Sequence, residues 1–186
     1  MSEFISPQDS FSVERAIRYL VTKYQKSGHN TKPVILHSIR TGLLLLELGY
    51  GTEIIVTGIL HDLIEDANVT LDDIRREFGS DVAIYVEAVS FKPEIQDPVE
   101  QYKEMYARTL AAGKPAAAVK AADLHINSLY IRLVPDLEQQ YMLIEKIHYF
   151  IEAAAAYRNE PIFQELKKRY DEESNRFANL KKGEHR

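Results

Sequence analysis

The stretch EIIVTGILHDLIED, residues 53–66, decides the fold class and the candidate chemistry of this chain. Its first two turns are apolar nearly all round, which is typical of a buried helix. Four ionisable residues then follow within six positions: His61, Asp62, Glu65 and Asp66. Residues four apart lie on one helical face, so the end of this helix carries two adjacent polar rows.

The helical period continues through the rest of the chain, and no convincing alternation of the kind expected for a β-strand interrupts it. Helix-start signals recur at residues 6–9, 70–73 and 97–100, and Gly49 is a suitable C-terminal cap. We therefore predict an all-α fold, a single-domain helical bundle over residues 1–186. The predicted helices span about residues 7–26, 33–49, 52–65, 71–78, 80–89 (capped by Ser80), 98–113, 115–133, 137–157 and 161–180.

Composition excludes several classes of protein. The 186 residues carry a formal net charge of −5, whereas a domain that binds nucleic-acid polymers usually has a basic surplus. The absence of cysteine excludes disulfides, thiolate metal sites and a cysteine nucleophile, and it is compatible with a reducing compartment. Neither a signal-peptide pattern nor an apolar run near the ~20 residues that span a bilayer is present. We expect a cytoplasmic protein without nucleic-acid polymer or membrane as partner.

The acids at the end of residues 53–66 have a simple structural explanation and a functional one. In the simple explanation the helix reaches solvent at His61, and the acids are a solvated terminus. However, three acids near a helix C-terminus oppose the helix dipole, at a cost of a few tenths of a kcal/mol or more each. A bound cation would turn these misplaced charges into ligands.

Two further ionisable residues interrupt apolar helices elsewhere. His37 lies within the apolar residues 34–46, and Asp123 lies within the largely apolar residues 116–127. Each alone has an ordinary alternative: a histidine bonded to a backbone carbonyl, and an ion pair between Asp123 and Lys120. Since an isolated buried aspartate is costly unless it is paired or metal-bound, three such cases on three helices favour convergence on one site.

Two histidines and two carboxylates would form a mixed nitrogen and oxygen ligand set. Such a set suits manganese, ferrous iron, cobalt or zinc rather than calcium. Adjacent residues of a helix point about 100° apart. His61 and Asp62 can therefore bind the same ion only if it lies off the ridge between them.

The order of these residues along the chain resembles the sequence signature of a known family. An isolated His37, the doublet His61-Asp62 and a distant Asp123 resemble the HD-domain phosphohydrolase superfamily. The longer stretch GILHDLIEDANVTLDDIRREFGSDVA, residues 58–83, resembles the hydrolase domain of the RelA/SpoT proteins and their small single-domain relatives. Those enzymes remove the 3′-pyrophosphate of (p)ppGpp with manganese. The resemblance covers about residues 10–135, with C-terminal helices at about 137–182 beyond it.

The resemblance implies a role for each matching residue. Glu65 and Asp66 would serve the hydrolytic step, and spacing leaves open which of them takes the proton. The implied metal ligands are His37, His61, Asp62 and Asp123, with Mn²⁺ expected and Fe²⁺, Co²⁺ or Zn²⁺ as alternatives. The implied substrate contacts are Lys26, Ser27, Lys92 and Asn127.

The chain also departs from the family pattern. Ser38 stands where proline usually follows the first histidine, and Gln25 stands where an arginine is common. Leu124 also breaks the usual Arg-Leu-His-Asn run after the distal aspartate. We therefore expect a metal-dependent phosphohydrolase whose partner is a small nucleotide, (p)ppGpp or a related one. An enzyme for another nucleotide and an inactive nucleotide-binding HD domain are the alternatives, and the sequence carries no signal for an oligomeric state.

Overall fold

The computed structural model describes residues 6–27 and 33–183, without the side chains of residues 26, 27 and 181–183. Every regular element in this part of the chain is a helix, which confirms the predicted all-α fold. Two short 3-10 helices lie at Ile131–Leu133 and Ala155–Tyr157. The α-helices are α1 (Pro7–Ser27), α2 (Val34–Glu47), α3 (Thr52–Leu60), α4 (Leu63–Asp66), α5 (Leu71–Phe78), α6 (Ser80–Val89), α7 (Pro98–Ala111), α8 (Lys114–Ser128), α9 (Leu137–Ala153) and α10 (Pro161–Gly183).

The capping residues begin the helices as predicted. The Ser6 hydroxyl accepts the Asp9 backbone N–H at 3.1 Å before α1. Thr70 and Asp73 form a reciprocal capping box at the start of α5. Asp97 accepts two backbone N–H groups of the first turn of α7, each at 2.9 Å. These bonds satisfy donors that have no partner within the helix, so the sequence could locate the helix starts.

Several predicted helix boundaries were wrong. The predicted helix 137–157 ends at Ala153 as α9, and the 3-10 helix Ala155–Tyr157 follows it. The expected helix 52–65 is interrupted by a turn at His61-Asp62, where the torsion angles of Asp62 (φ −91°, ψ −4°) differ from those of a regular α-helix. The expected helix 115–133 ends at Ser128, where bonds to carbonyls three residues back tighten the chain. Ser80 is the first residue of α6 rather than its cap, because Gly79 (φ +93°) occupies the N-cap position in a conformation that favours glycine.

Contacts within the chain form two compact units, Met1–Asp123 and Leu124–Arg186, with the boundary inside α8. The single domain over residues 1–186 therefore stays a prediction. In the first unit α3 is central, since it packs against α1, α2 and α6. None of the described helices combines the length and hydropathy needed to cross a bilayer.

The second unit is organised around the buried carboxylate of Glu173 on α10, and α10 packs against α9. Arg132 and Arg176 each donate to this carboxylate at 2.8 Å, and Arg169 lies 3.4 Å away. Burial alone would raise the pKa of Glu173, but hydrogen bonds from the arginines lower it. The arrangement satisfies a buried charge and is structural.

Within the first unit, α2 and α3 approach each other at Gly42 and Gly58. A Cβ added to Gly58 would lie 3.3 Å from the Gly42 Cα and 2.8 Å from a Leu45 methyl. A Cβ added to Gly42 would lie 3.1 Å from the backbone oxygen of Ile55. Larger residues at either position would push the two helices apart.

We expect Gly58→Ala to destabilise the protein. Overpacking a core costs about 1–3 kcal/mol, which outweighs the roughly 1 kcal/mol that alanine gains over glycine in helix propensity. Urea unfolding should show a net loss of up to about 2 kcal/mol. Gly58→Val is the comparison, because a still larger side chain at the same position must meet Leu45 and Gly42 more closely and should lose more stability. Equal stability of the two variants would contradict the close approach.

Candidate metal centre

Three buried residues from three helices converge in the first unit. His37 lies on α2, His61 follows the last turn of α3, and Asp123 lies on α8. One ligand atom of each lies within 4.8 Å of the others. The predicted convergence of these three residues is thus present.

The distances between the donor atoms suit a single cation. The two histidine Nε2 atoms are 3.2 Å apart. Oδ1 of Asp123 lies 3.1 Å from Nε2 of His37 and 3.4 Å from Nε2 of His61. Two ligands that bind one ion at about 2.1 Å, at right angles, lie about 3 Å apart. The residues therefore fit a shared divalent ion.

Asp62 joins this group because of the turn between α3 and α4. Its Oδ1 lies 3.0 Å from Nε2 of His61, and its Oδ2 lies 3.5 Å from Nε2 of His37. Oδ2 is buried and has no hydrogen-bond donor among the described residues, which is the environment of a ligand atom. Although neighbouring helical residues diverge, the turn lets Asp62 face the Nε2 atoms of both histidines.

Backbone and side-chain partners orient two of these groups. Nδ1–H of His61 donates to the carbonyl of Gly58 at 2.8 Å, which leaves the Nε2 lone pair for a cation. Nζ of Lys120 donates to Oδ2 of Asp123 at 2.8 Å, while Oδ1 faces the histidines. The ion pair considered as an alternative to a metal site is therefore present, but it occupies only one oxygen of the carboxylate.

The electrostatics of the cluster favour positive charge. Burial lowers the pKa of His61, but the charge of Asp62 and the hydrogen bond with Asp123 outweigh burial and raise the pKa to about 10. Burial opposes ionisation of Asp62, yet His61 lowers the Asp62 pKa to about 2. Burial likewise opposes ionisation of Asp123, and the Lys120 ammonium and the histidines hold its pKa well below the usual range.

Comparison with known proteins agrees with this geometry. A family model described as an HD domain matches residues 15–126, more than half of the chain. The chain belongs to the HD domain family. HD domains bind divalent metals, and the three converging residues of this HD domain offer a ligand set for one.

Curated relatives of this HD domain are much longer proteins. It is 34% identical over 107 residues to the guanosine-3′,5′-bis(diphosphate) 3′-pyrophosphohydrolase of Aquifex aeolicus (strain VF5), covering 57% of this chain and 15% of the relative. It is 30% identical over 155 residues to a probable GTP diphosphokinase of Oryza sativa subsp. japonica, covering 77% of this chain and 21% of the relative. The chain thus spans less than a quarter of these proteins.

A solved structure resembles this HD domain over most of its length. It is the structure of a metazoan ortholog of SpoT that hydrolyzes ppGpp. The TM-score is 0.74 at 15% sequence identity, and the match covers 92% of this chain and 98% of that chain. The likeness confirms the predicted HD-type fold.

The acidic pair lies on α4, beside the cluster, and each acid has a hydrogen-bond donor from another element. Oε1 of Glu65 accepts the backbone N–H of Phe91 at 2.7 Å. Glu65 is accessible to solvent, but the protein surrounds its carboxylate closely enough that burial, followed by the charge of Asp62, raises its pKa. The hydroxyl of Tyr24 donates to Oδ2 of Asp66 at 3.4 Å.

Sequence reasoning did not predict the parts played by Tyr24 and the Phe91 amide. Tyr24 falls on the apolar face of α1, where nothing distinguishes it from a core residue. Every residue except proline has a backbone N–H, so the residue type of Phe91 does not indicate that its amide is a donor to Glu65. Lys120 was foreseen only as a partner of Asp123, although its charge also acts on Glu65.

Among the described residues, no recorded contact joins the predicted substrate-binding residues to the donor cluster. Nζ of Lys92 lies 2.7 Å from a carboxylate oxygen of Glu104. Asn127 is exposed in the last turn of α8 and belongs to the second unit. The side chains of Lys26 and Ser27 lie outside the described residues. These four assignments stay predictions.

We expect Asp62→Asn to weaken Mn²⁺ binding at least about tenfold, since losing even an outer-shell partner costs that much. The substitution removes a negative charge and keeps the side-chain shape. Isothermal titration calorimetry on protein stripped with chelator measures the affinity. Asp72→Asn is the matched control, because the Asp72 side chain is 85% exposed and pairs only with Arg75 among its described partners. Equal affinity of both variants would remove Asp62 from the ligand set.

Mn²⁺ binding should release protons and strengthen as pH rises. Without a cation, His61 keeps its proton up to a pKa of about 10, above its ordinary value, whereas a ligand imidazole must be neutral. Between pH 6 and 8 the affinity should therefore rise by up to about tenfold per pH unit for each proton released. Calorimetry in buffers of different ionisation enthalpy counts the protons. An affinity independent of pH would contradict this charge state.

Proposed function

We propose that this chain is a metal-dependent phosphohydrolase that removes the 3′-pyrophosphate of (p)ppGpp or a closely related nucleotide, acting in the cytoplasm. The observation that carries the proposal is the donor cluster of His37, His61 and Asp123 beside the acidic pair of α4. Such a pair has no use in a site that only holds a metal or a ligand. The names of the curated relatives support the choice of substrate.

The proposed ligands of the divalent cation are His37, His61, Asp62 and Asp123, and Mn²⁺ is the proposed ion, with Fe²⁺, Co²⁺ and Zn²⁺ as alternatives. When bound, the ion supplies Lewis acidity, which lowers the pKa of a coordinated water and offsets charge on phosphoryl oxygens. The protein fixes where that acidity acts, because three of the four side chains come from different helices of one packed unit.

The acidic pair would handle the proton. Water attacks the phosphorus next to the ribose 3′-oxygen, its proton passes to a carboxylate, and the bond from phosphorus to the 3′-oxygen breaks. The 3′-oxygen leaves as a hydroxyl after taking up a proton, so ppGpp and water give GDP and pyrophosphate. The raised pKa of Glu65 brings this carboxyl nearer to neutrality, where one group can both accept and return a proton. Lys26, Ser27, Lys92 and Asn127 are the proposed contacts for phosphate and ribose.

A second candidate keeps the chemistry and changes the nucleotide. Lys92, a proposed phosphate contact, forms an ion pair with Glu104. The residues next to the first histidine and after the distal aspartate, Ser38 and Leu124, also differ from the pattern of the alarmone hydrolases. An HD nucleotidase for another nucleotide would share the metal centre and differ at these positions.

The decisive experiment is a hydrolysis assay with Mn²⁺ on ppGpp and a panel of nucleoside mono-, di- and triphosphates. We expect GDP and pyrophosphate from ppGpp, and a loss of at least about 100-fold in kcat for Glu65→Gln, since general acid–base catalysis contributes about 10²–10⁴-fold. The Mn²⁺ affinity of this variant should stay near that of the wild type.

Three other results would each change the conclusion. Turnover of another nucleotide alone would favour the second candidate. Stoichiometric binding of ppGpp without product would indicate a nucleotide-binding module. Full activity of Glu65→Gln and of Asp66→Asn would remove the acidic pair from the mechanism.

A further inference from the structure

Tyr24 is a buried phenol beside the acidic pair, and the proposed mechanism gives it no role. It lies near the end of α1 and is 4% exposed. Helix α1 packs against α4, the four-residue helix that carries Glu65 and Asp66. The phenol hydroxyl donates to Oδ2 of Asp66 at 3.4 Å, so a distant segment of the chain contacts the acidic pair directly.

The protonation state of Tyr24 makes it a permanent donor. Burial, and then the negative charges of Asp62 and Asp66, raise the pKa of the phenol far above its ordinary value of about 10. The hydroxyl therefore keeps its hydrogen throughout the neutral range. The buried Ser38 hydroxyl on α2 lies beside the same phenol, so three elements meet at this point.

Helix α4 needs such support. A single turn of helix is unstable alone and cannot fix the directions of its own side chains. Glu65 is held by the Phe91 amide, and Tyr24 provides the corresponding contact for Asp66. The 3.4 Å separation is longer than the usual 2.7–2.8 Å for two oxygens, but catalytic hydrogen bonds are often long before substrate binds and shorten in the reacting complex.

We propose that Tyr24 is a positioning residue that acts through Asp66. By donating to one carboxylate oxygen, it fixes the direction in which Asp66 faces the water that attacks phosphorus. The inference rests on the proposed phosphohydrolase function. It gives α1, which also carries the proposed substrate contacts Lys26 and Ser27, a direct contact with the acidic pair.

The test uses the full chain and Tyr24→Phe, which removes only the hydroxyl. With Mn²⁺ and ppGpp, kcat should fall about tenfold, the loss of one hydrogen bond to a charged group, while KM and the Mn²⁺ affinity stay within about twofold. Tyr19→Phe is the matched control. Tyr19 lies on the same helix, and its buried hydroxyl has no hydrogen-bond partner among the described residues, so kcat should not change.

A double-mutant cycle separates positioning from a general effect on structure. In the Asp66→Asn background, Tyr24→Phe should cause no further loss of kcat. A second cycle measures the free energy of unfolding by urea on chelator-treated protein. It should give a coupling between Tyr24 and Asp66 of about three- to tenfold in the folding equilibrium constant, and none between Tyr19 and Asp66.

Each outcome decides the inference. An unchanged kcat in Tyr24→Phe, or equal losses with and without Asp66→Asn, would overturn it. If the wild type hydrolyses no nucleotide, the proposed function fails and the unfolding cycle alone decides whether Tyr24 holds Asp66. Coupling would then support the contact, and its absence would overturn it.

Discussion

The close approach of α2 and α3 at Gly42 and Gly58 is the constraint on which the metal centre depends. His37 lies less than two turns before Gly42 on α2, and His61 lies less than one turn after Gly58. Their Nε2 atoms are 3.2 Å apart, a distance that tolerates little change. Because interiors are densely packed, a methyl group between the helices would shift backbone rather than fill a void. The two glycines thus determine the distance between the two histidine side chains.

Charge balance explains why such a polar cluster persists in a core. Asp62 and Asp123 contribute two negative charges. Without a cation, protonated His61 and Lys120 contribute two positive charges, so the group is neutral. Burying an uncompensated charge costs several kcal/mol, so this balance stabilises the group when no metal is bound. A divalent cation that replaces the His61 proton would change the sum to +1, which suits the anionic phosphate of the proposed substrate. The ion pair between Lys120 and Asp123 is therefore compatible with a metal at this cluster. Sequence spacing alone presents this ion pair as an alternative to metal binding, because it cannot show that the two oxygens of one carboxylate have different partners.

The sequence predicted those features that depend on residue type and local order. Helix starts followed from capping residues such as Thr70 and Asp97, and the convergence of His37, His61 and Asp123 followed from polar residues in apolar helices. The sequence did not predict the turn at His61-Asp62, because the helical spacing of apolar residues continues through it. Only the torsion angles of Asp62 differ from those of a regular helix. The sequence also did not predict the tertiary contacts of the Phe91 amide and the Tyr24 phenol, because neither group differs in sequence from an ordinary core residue.

These two unpredicted contacts give the acids of α4 unlike surroundings, although they are adjacent in sequence. Glu65 accepts a neutral backbone N–H, remains accessible to solvent and has a raised pKa. Asp66 accepts a phenol that stays protonated. Enzymes commonly assign different roles to paired carboxyl groups by placing them in different environments. Under the proposed function, this asymmetry favours Glu65 as the group that exchanges a proton and Asp66 as the group that orients water. The division follows from the different elements that the two side chains contact.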